Sequence, residues 1–449
     1  MKSNTRATML LACLLCWLIF PPSSSAQDSG AGAEAQAMND KPLPFRTAIE
    51  LALKNSVATG VSMADLQRAR ATVSQTRDAY VPQMVFGSGL GWSYGFPLSL
   101  EGAAPSIFNV NIQGALWNPA QRDTIRAAKT DVELTSAQNA ARRDDVIMET
   151  AVSYIQLDLL ESSLSVQREQ RQAAAKFQET VNQRVQEGLD SQVETTRAKL
   201  AVARTRLSIA QTQAAADQLR LRLSQLTGLP AKAIRTSTET IPALHDVSQD
   251  DDLPGQAAQK SLAVKVAEDA AQIKDFRARA ERKLLYPSVD LVAQYAVLAR
   301  FNNYDQFFQK FQRHNVTAGV AIRFPFFNAT QHAAADAAKA DAQKSHKEAA
   351  AVKEQVSGET LKLQRAVEQL AAARDVAQLE HQLAQSDIES AHARIESGQA
   401  TVKDEQNARI AEHQRYAAYL ESSFELDRAQ VQLLRQTGEL ETWALGPGR

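Results

Sequence analysis

The sequence predicts a mainly α-helical fold with a smaller β portion, laid out as two tandem repeats of helix–strand–strand–long helix–helix. Three observations predict it. The first is duplication. Asn118 in LWNPAQR returns as Asn328 in FFNATQH, Gly188 in RVQEGLDSQV as Gly398 in RIESGQATVK, and Gly228 in LRLSQLTG as Gly438 in VQLLRQTG, each pair 210 positions apart. Upstream, Tyr80-Val81-Pro82 answers Tyr286-Pro287-Ser288, with the prolines 205 apart. Self-similarity at a fixed offset marks a repeat architecture. The second observation is a switch of hydrophobic period from 3.6 to 2 after each proline, the change from helix to strand. The third is composition: aromatic residues make up only 6% of the 449, and the abundance of Ala, Gln, Glu, Arg and Leu suits long paired helices.

Taken in order, residues 1–26 read as a secretory signal peptide: Lys2 and Arg6, an apolar run from Met9 to Phe20, then small residues to Ala26. The run is too short to span a bilayer. Leu10-Leu11-Ala12-Cys13 loosely resembles a lipoprotein box, but the apolar run continues beyond the cysteine. Cys13 and Cys16 are the two cysteines, so cleavage near Ala26 leaves a chain with no thiol for a disulfide, a zinc site or a nucleophile. Residues 27–44, rich in Ala, Gly, Ser and acids, read as a flexible leader. The first repeat is expected over 45–230, a surface linker over 231–256, the second repeat over 257–443 and a tail over 444–449.

Each repeat opens with a helix stopped by proline, one from Phe45 to Tyr80 before Pro82 and one from about Gln256 to Leu285 before Pro287. Strands follow. Met84, Phe86, Leu90, Trp92 and Tyr94 alternate with Val85 and glycines, and Phe108, Val110, Ile112 and Leu116 with Asn109, Asn111, Gln113 and Ala115. In the second copy Val289, Leu291, Tyr295 and Val297 oppose Ser288, Asp290, Gln294 and Ala296, and Val316, Val320, Ile322 and Phe324 oppose Thr317, Gly319, Ala321 and Arg323. Such alternation also suits a soluble sandwich. Strands of about ten residues, with Trp92, Tyr94, Phe324, Phe326 and Phe327 near their ends, instead suit a bilayer crossing with an aromatic girdle. Four strands cannot close around a pore and open edges do not survive in lipid, so closure requires several chains.

The helix after Pro119 runs without a proline or glycine to Glu187, about 69 residues or roughly 100 Å. Its return helix and the helix before the strands are each about half as long, so one long helix can pair with two short ones stacked end to end. Heptad spacing supports paired coils, with Val193, Leu200, Leu207, Ala214 and Leu221 as one expected seam and Ile410, Ala417, Phe424 and Val431 as another.

Catalytic signals are missing. The seven histidines are scattered without zinc spacing. The run Asp250-Asp251-Asp252 lacks the spacing and central glycine of a calcium loop. Gly87-x-Gly89-x-Gly91 thins one sheet face and opens no helix, so it is no phosphate loop. No cofactor or metal is expected. Lys and Arg total 50 against 51 Asp and Glu, a balance that offers nucleic acid no electrostatic footprint.

The order of AIELALKNS (Ala48 to Ser56), the Tyr-x-Pro and Tyr-Pro strand starts, LWNPAQR, FFNATQH, and the tips Arg184-x-x-x-Gly188 and Arg394-x-x-x-Gly398 resembles the outer-membrane efflux protein family typified by TolC, across almost all of the mature length. The family usually places glycine after the strand-exit Asn or Asp; Pro119 and Ala329 stand there instead, which questions the local turn geometry. The resemblance implies mainly α structure with a membrane β-barrel portion: a homotrimer giving a twelve-stranded barrel continued by a tunnel of helices, in the outer membrane of a Gram-negative bacterium with a long periplasmic extension. It implies an outer-membrane channel of a tripartite efflux or type I secretion system, not an enzyme, passing cargo from an inner-membrane pump through a periplasmic adaptor. Asn109, Asn111, Gln113, Asp290 and Gln294 are expected to face the lumen, and Met84, Phe86, Val110, Ile112, Leu291 and Val320 the outer-membrane lipid. Arg184, Gly188, Leu189, Ser191, Arg394, Gly398 and Thr401 are expected at the adaptor-docking tips, and Arg394, Asp404 and Glu405 at a periplasmic gate. The alternative reading, a periplasmic adaptor or coiled-coil scaffold protein, fits less well, because an adaptor carries one hairpin and this chain has two, each preceded by a strand pair.

Overall fold

Helix α1 (Phe45–Asn55) buries Phe45, Ala48, Ile49 and Ala52, the i, i+3, i+4, i+7 stripe of an amphipathic helix. The Phe45 ring meets Tyr154 and Trp443 edge-on, each at 5.4 Å, which joins the start of the first repeat to the end of the second. The structure is a computed structural model that describes residues 42–88, 106–244, 252–298, 312–397, 399 and 401–446. The expected signal peptide, most of the leader, Leu90, Trp92, Tyr94, Asp250, Asp251, His245 and Gly398 lie outside the described residues.

The remaining elements follow the expected order. They are α2 (Val57–Arg77), a 3-10 turn at Asp78–Tyr80, β1 (Gln83–Gly87), β2 (Ser106–Trp117), α3 (Pro119–Gln186) and α4 (Gln192–Thr227). Then come 3-10 turns at Ala231–Ala233 and Thr238–Thr240, α5 (Leu253–Lys260), α6 (Leu262–Lys283), β3 (Ser288–Leu298) and β4 (His314–Arg323). The chain closes with α7 (Ala329–Glu396), α8 (Val402–Thr437) and α9 (Leu440–Leu445). Both long helices have 68 residues and both return helices 36. Helix α7 runs through Gly358 without a break.

The duplication reaches individual contacts. Gln121 Nε2 donates to the Thr76 carbonyl, and Gln331 Nε2, 210 positions on, to the Glu281 carbonyl, 205 on. Ala52 packs with Val146 as Ala257 does with Val356, and the buried hydroxyls of Thr150 and Thr360 each donate to the valine carbonyl one turn back at 2.7 Å. The turn in question at the strand exits is settled by capping. The Asn118 side chain accepts from the N–H groups of Ala120 and Gln121, and Asn328 from Gln331. Pro119 occupies the first helical turn, where its missing N–H costs nothing. Gly228 and Gly438 end the return helices, both at φ 77°.

Several expectations need correction. The single helix from Phe45 to Tyr80 is two, broken at Ser56 (ψ 132°), and its partner breaks at Ser261 (ψ 129°). Each serine side chain caps the following helix by accepting from Ala58 or Ala263, which competes with continuing the helix. The second copy also starts earlier than Gln256, at Leu253, because Asp252 caps α5 through the Gly255 N–H at 3.0 Å. The expected surface linker and flexible leader are tied down at their described ends. Ile234 and Leu43 are buried, Leu43 N–H donates to the Arg235 carbonyl, and the Tyr154 hydroxyl donates to the Leu43 carbonyl and accepts from Ser237. The tail expected from residue 444 begins inside a helix, with Ala444 buried. Finally, α3 and α4 pair through Leu157, Leu164, Ile209, Ala216 and Leu223, whereas Val193, Leu200, Leu207 and Leu221 are exposed. Two stripes of α4 have heptad spacing, and periodicity alone does not say which one turns inward. On α8 the expected seam divides: Phe424 and Val431 are buried, Ile410 and Ala417 exposed.

Candidate functional site

The four strands form one antiparallel sheet in the order β1-β2-β3-β4. Residues directly opposite one another share a face, so the register sorts the side chains. Gln83–Gln113, Val85–Asn111, Asn111–Gln294, Ala115–Asp290 and Gln294–Thr317 are pairs. They place Asn109, Asn111, Gln113, Asp290 and Gln294 on one face, as the alternation predicts. Met84–Ile112, Phe86–Val110 and Leu291–Val320 pair on the opposite face. Met84, Phe86 and Val320 are exposed there, an apolar surface with no cover inside the chain.

The polar face gains residues that were not singled out: Asn315, Thr317 and Arg323. Arg323 lies 3.1 Å from Asp290, so among the described strand residues the two charges on this face neutralise each other and amides supply most of the remaining polarity. The alternation of β4 had already put Arg323 on that side, and only the pairing with Asp290 required the register. Below this pair is an open cavity of about 680 Å³ lined by Gln113, Asn118, Lys283, Asp290 and Arg323. Beside it the Asp123 carboxylate, completely buried, binds Lys283 at 2.6 Å and Arg126 at 3.0 Å. That ion pair joins α3 of the first repeat to α6 of the second where strands become helices. Sequence gave no sign of it, because Asp123 and Lys283 are 160 positions apart.

The opposite ends of the long helices carry the tip residues. Gly188 has φ 78°; Leu189 N–H donates to the Arg184 carbonyl and Gly188 N–H to the Val185 carbonyl. This is a Schellman termination, which favours glycine at the left-handed position. In the second tip Gln399 N–H makes the same bond to the Arg394 carbonyl at 2.8 Å. At Arg184–Gly188 the Arg-x-x-x-Gly spacing is thus the spacing of this cap. Leu189 is exposed at 63%, and Ser191 stands at the N-cap of α4 without a side-chain bond.

Charges at the two tips are arranged differently. Arg184 reaches across the first turn to Asp190 at 2.7 Å, and that hydrogen bond raises the arginine pKa. In the second, Asp404 closes a capping box with Thr401. The Thr401 N–H and hydroxyl hold its carboxyl below the usual range, and Arg394 adds to the effect. Glu405 pairs with Arg409 at 2.7 Å, and Lys403 lies 3.6 Å from Glu194 of the first tip. Among the described residues no cluster of His, Cys, Asp and Glu is arranged to hold a metal.

A family model described as outer membrane efflux protein matches residues 48–229 and 253–439. Solved structures share the fold. The chain is similar to CusC at 19% identity, covering 91% of this chain and 93% of that one, with a TM-score of 0.71. It is similar to the outer membrane protein VceC of Vibrio cholerae at 20% identity, covering 87% and 96%, TM-score 0.68. It is also similar to the CmeC outer membrane channel of Campylobacter jejuni at 14%, covering 90% and 87%, TM-score 0.72. No curated protein sequence matches.

Proposed function

The chain belongs to the outer membrane efflux protein family, and from that premise we propose that it is the passive outer-membrane conduit of a tripartite efflux or type I secretion system. The observation that carries the proposal is the two-faced sheet. One face is apolar and exposed, the other amide-rich with its charges paired, and β1 and β4 are left as edges. Such edges are untenable in lipid unless another chain pairs with them. Three copies give twelve strands with the apolar face outward and Asn109, Asn111, Gln113, Asp290 and Gln294 around a wet lumen. The long helices, roughly 100 Å each, extend the lumen into the periplasm, where the tips meet an adaptor that delivers cargo from an inner-membrane pump.

The chain does no chemistry in this account; energy is supplied by the pump. Arg184, Gly188, Leu189, Ser191, Arg394, Gly398 and Thr401 form the docking tips. Arg394, Asp404 and Glu405, brought together three times over, form the idle gate. Charge repulsion between the copies is relieved by pairing carboxylate with arginine. Fractionation tests the reading: the protein should be extracted from the outer membrane by detergent as a trimer. Recovery as a soluble periplasmic monomer would reject it. The gate is tested separately: Arg394→Ser should raise single-channel conductance and Asp404→Ala should alter block by cations, whereas unchanged currents in both would remove these residues from the gate.

A further inference from the structure

The sheet holds very little charge. Among the described residues of β1, β2, β3 and β4, Asp290 is the only carboxylate and Arg323 the only lysine or arginine. The strand histidine, His314, lies opposite Val297 on the apolar face. Asp290 and Arg323 stand at the same end of the sheet, where the strands meet the helices: Asp290 is near the start of β3 and Arg323 is the last residue of β4. In the ladder Asp290 is opposite Ala321 and Arg323 opposite Ser288, which makes the two charged residues diagonal neighbours on the polar face, within reach of a long side chain. The guanidinium closes to 3.1 Å from the carboxylate, with the arginine side chain 75% exposed and the aspartate 21%.

An ion pair open to water contributes only about 0 to 1 kcal/mol to folding, so the sheet does not depend on this one. Its effect on the space in front of the sheet is larger. Opposite charges this close cancel at distances beyond their own separation, and a mobile ion meets a wall of amides and hydroxyls with no net charge. Lys283, which lines the cavity below, is held at 2.6 Å by the buried Asp123. In a trimer the Asp290–Arg323 pair recurs three times at one level of the lumen. Loss of either member therefore leaves a ring of three like charges, the device by which side chains make a pore selective.

We propose that the Asp290–Arg323 pair sets the charge selectivity of the strand-lined lumen, holding it close to indifferent so that anionic and cationic cargo pass this level alike. The inference rests on the channel reading and adds to it a cargo class, solutes not sorted by the sign of their charge.

Reversal potentials across planar bilayers test it, measured on full-length trimers under a potassium chloride gradient. Relative to wild type, Arg323→Gln should shift the permeability ratio several-fold toward cations and Asp290→Asn several-fold toward anions. The double neutral variant, and the swapped pair Asp290→Arg with Arg323→Asp, should both return to the wild-type value. Both single shifts should fade as salt rises from about 10 mM, where charges are felt over about 30 Å, to about 1 M, where the range is about 3 Å. Arg323 is the more exposed partner, so Arg323→Gln carries the test even where Asp290→Asn assembles poorly. Conducting trimers whose reversal potential is unmoved by Arg323→Gln, or moves by the same amount at high salt, would overturn the proposal and leave the channel reading intact. A wild-type trimer that inserts and passes no current would overturn both.

Discussion

Helices α3 and α7 have equal length, the same asparagine start and the same capped end, yet they are finished differently. Helix α3 buries Ile147, Tyr154, Leu157 and Leu164 and leaves no large apolar side chain exposed, whereas α7 buries chiefly small or polar groups such as Ala342, Ala349, Thr360 and Gln364 and exposes Leu361, Val376, Leu379 and Leu383. Helix α3 is enclosed by α1, α2, α4, α6 and α8 of its own chain. Duplication gave both helices the same backbone; position in the chain decided which received a core. The difference teaches that α3 is completed within its own chain, whereas α7, like the outer stripe of α4 with Leu200 and Leu207, keeps large apolar side chains exposed.

The largest effect should come from the enclosed helix. Tyr154→Ala removes a fully buried ring and its bonds to Leu43 and Ser237, and should cost about 3 to 5 kcal/mol in denaturant unfolding. Leu379→Ala on the exposed helix should instead leave the chain folded and weaken trimer recovery. If Leu379→Ala destabilised the chain as much as Tyr154→Ala, the contrast between the helices would fail.

The sheet gives the next effect. Val320→Arg on the apolar face should cost about 2 to 4 kcal/mol if it lies near the bilayer midplane, read as lost outer-membrane trimer. Asn111→Arg, on the other face, should assemble and change conductance. Equal tolerance would break the assignment of faces.

At the tip, Gly188 has open space around its Cα, so Gly188→Val meets only the backbone strain of a left-handed residue, about 1 to 2 kcal/mol. Trimer yield should be preserved and cross-linking to the adaptor from Ser191 weakened; unchanged cross-linking would reduce the glycine to a helix terminator.

The last effect is electrostatic. Burial pushes the Asp427 carboxyl of α8 up to about 6, against the opposing pull of Arg374. The folded chain therefore holds a proton that the unfolded chain releases near 3.8. The resulting stabilisation is complete below about 4 and is lost as pH rises through about 6. The melting temperature of the detergent-solubilised protein should fall by a few degrees between pH 4 and 7, and Asp427→Asn should flatten that slope. An unchanged slope would place Asp427 in a wetter setting.

The order of elements and the alternation of the strands were legible because each depends on near neighbours: a period of 2 within a strand, a proline after a helix, a glycine at a reversal. The break at Ser56 was not, since serine in the middle of a helical pattern carries no steric prohibition; only its echo at Ser261 marks it. The buried Asp123–Lys283 pair was hidden because it depends on how the repeats pack together. For α4, the heptad stripe expected as the seam was the wrong one of two with the same period; the structure shows that Ile209, Ala216 and Leu223 turn inward while Leu200 and Leu207 do not.

The central claim is that chains incomplete in this way close into a conducting pore. The most direct measurement is current through planar bilayers holding the detergent-extracted trimer, wild type beside Asn111→Arg. Discrete conductance steps whose size or ion selectivity shifts with the added arginines are the predicted result, and a trimer that inserts but carries no current would contradict the account.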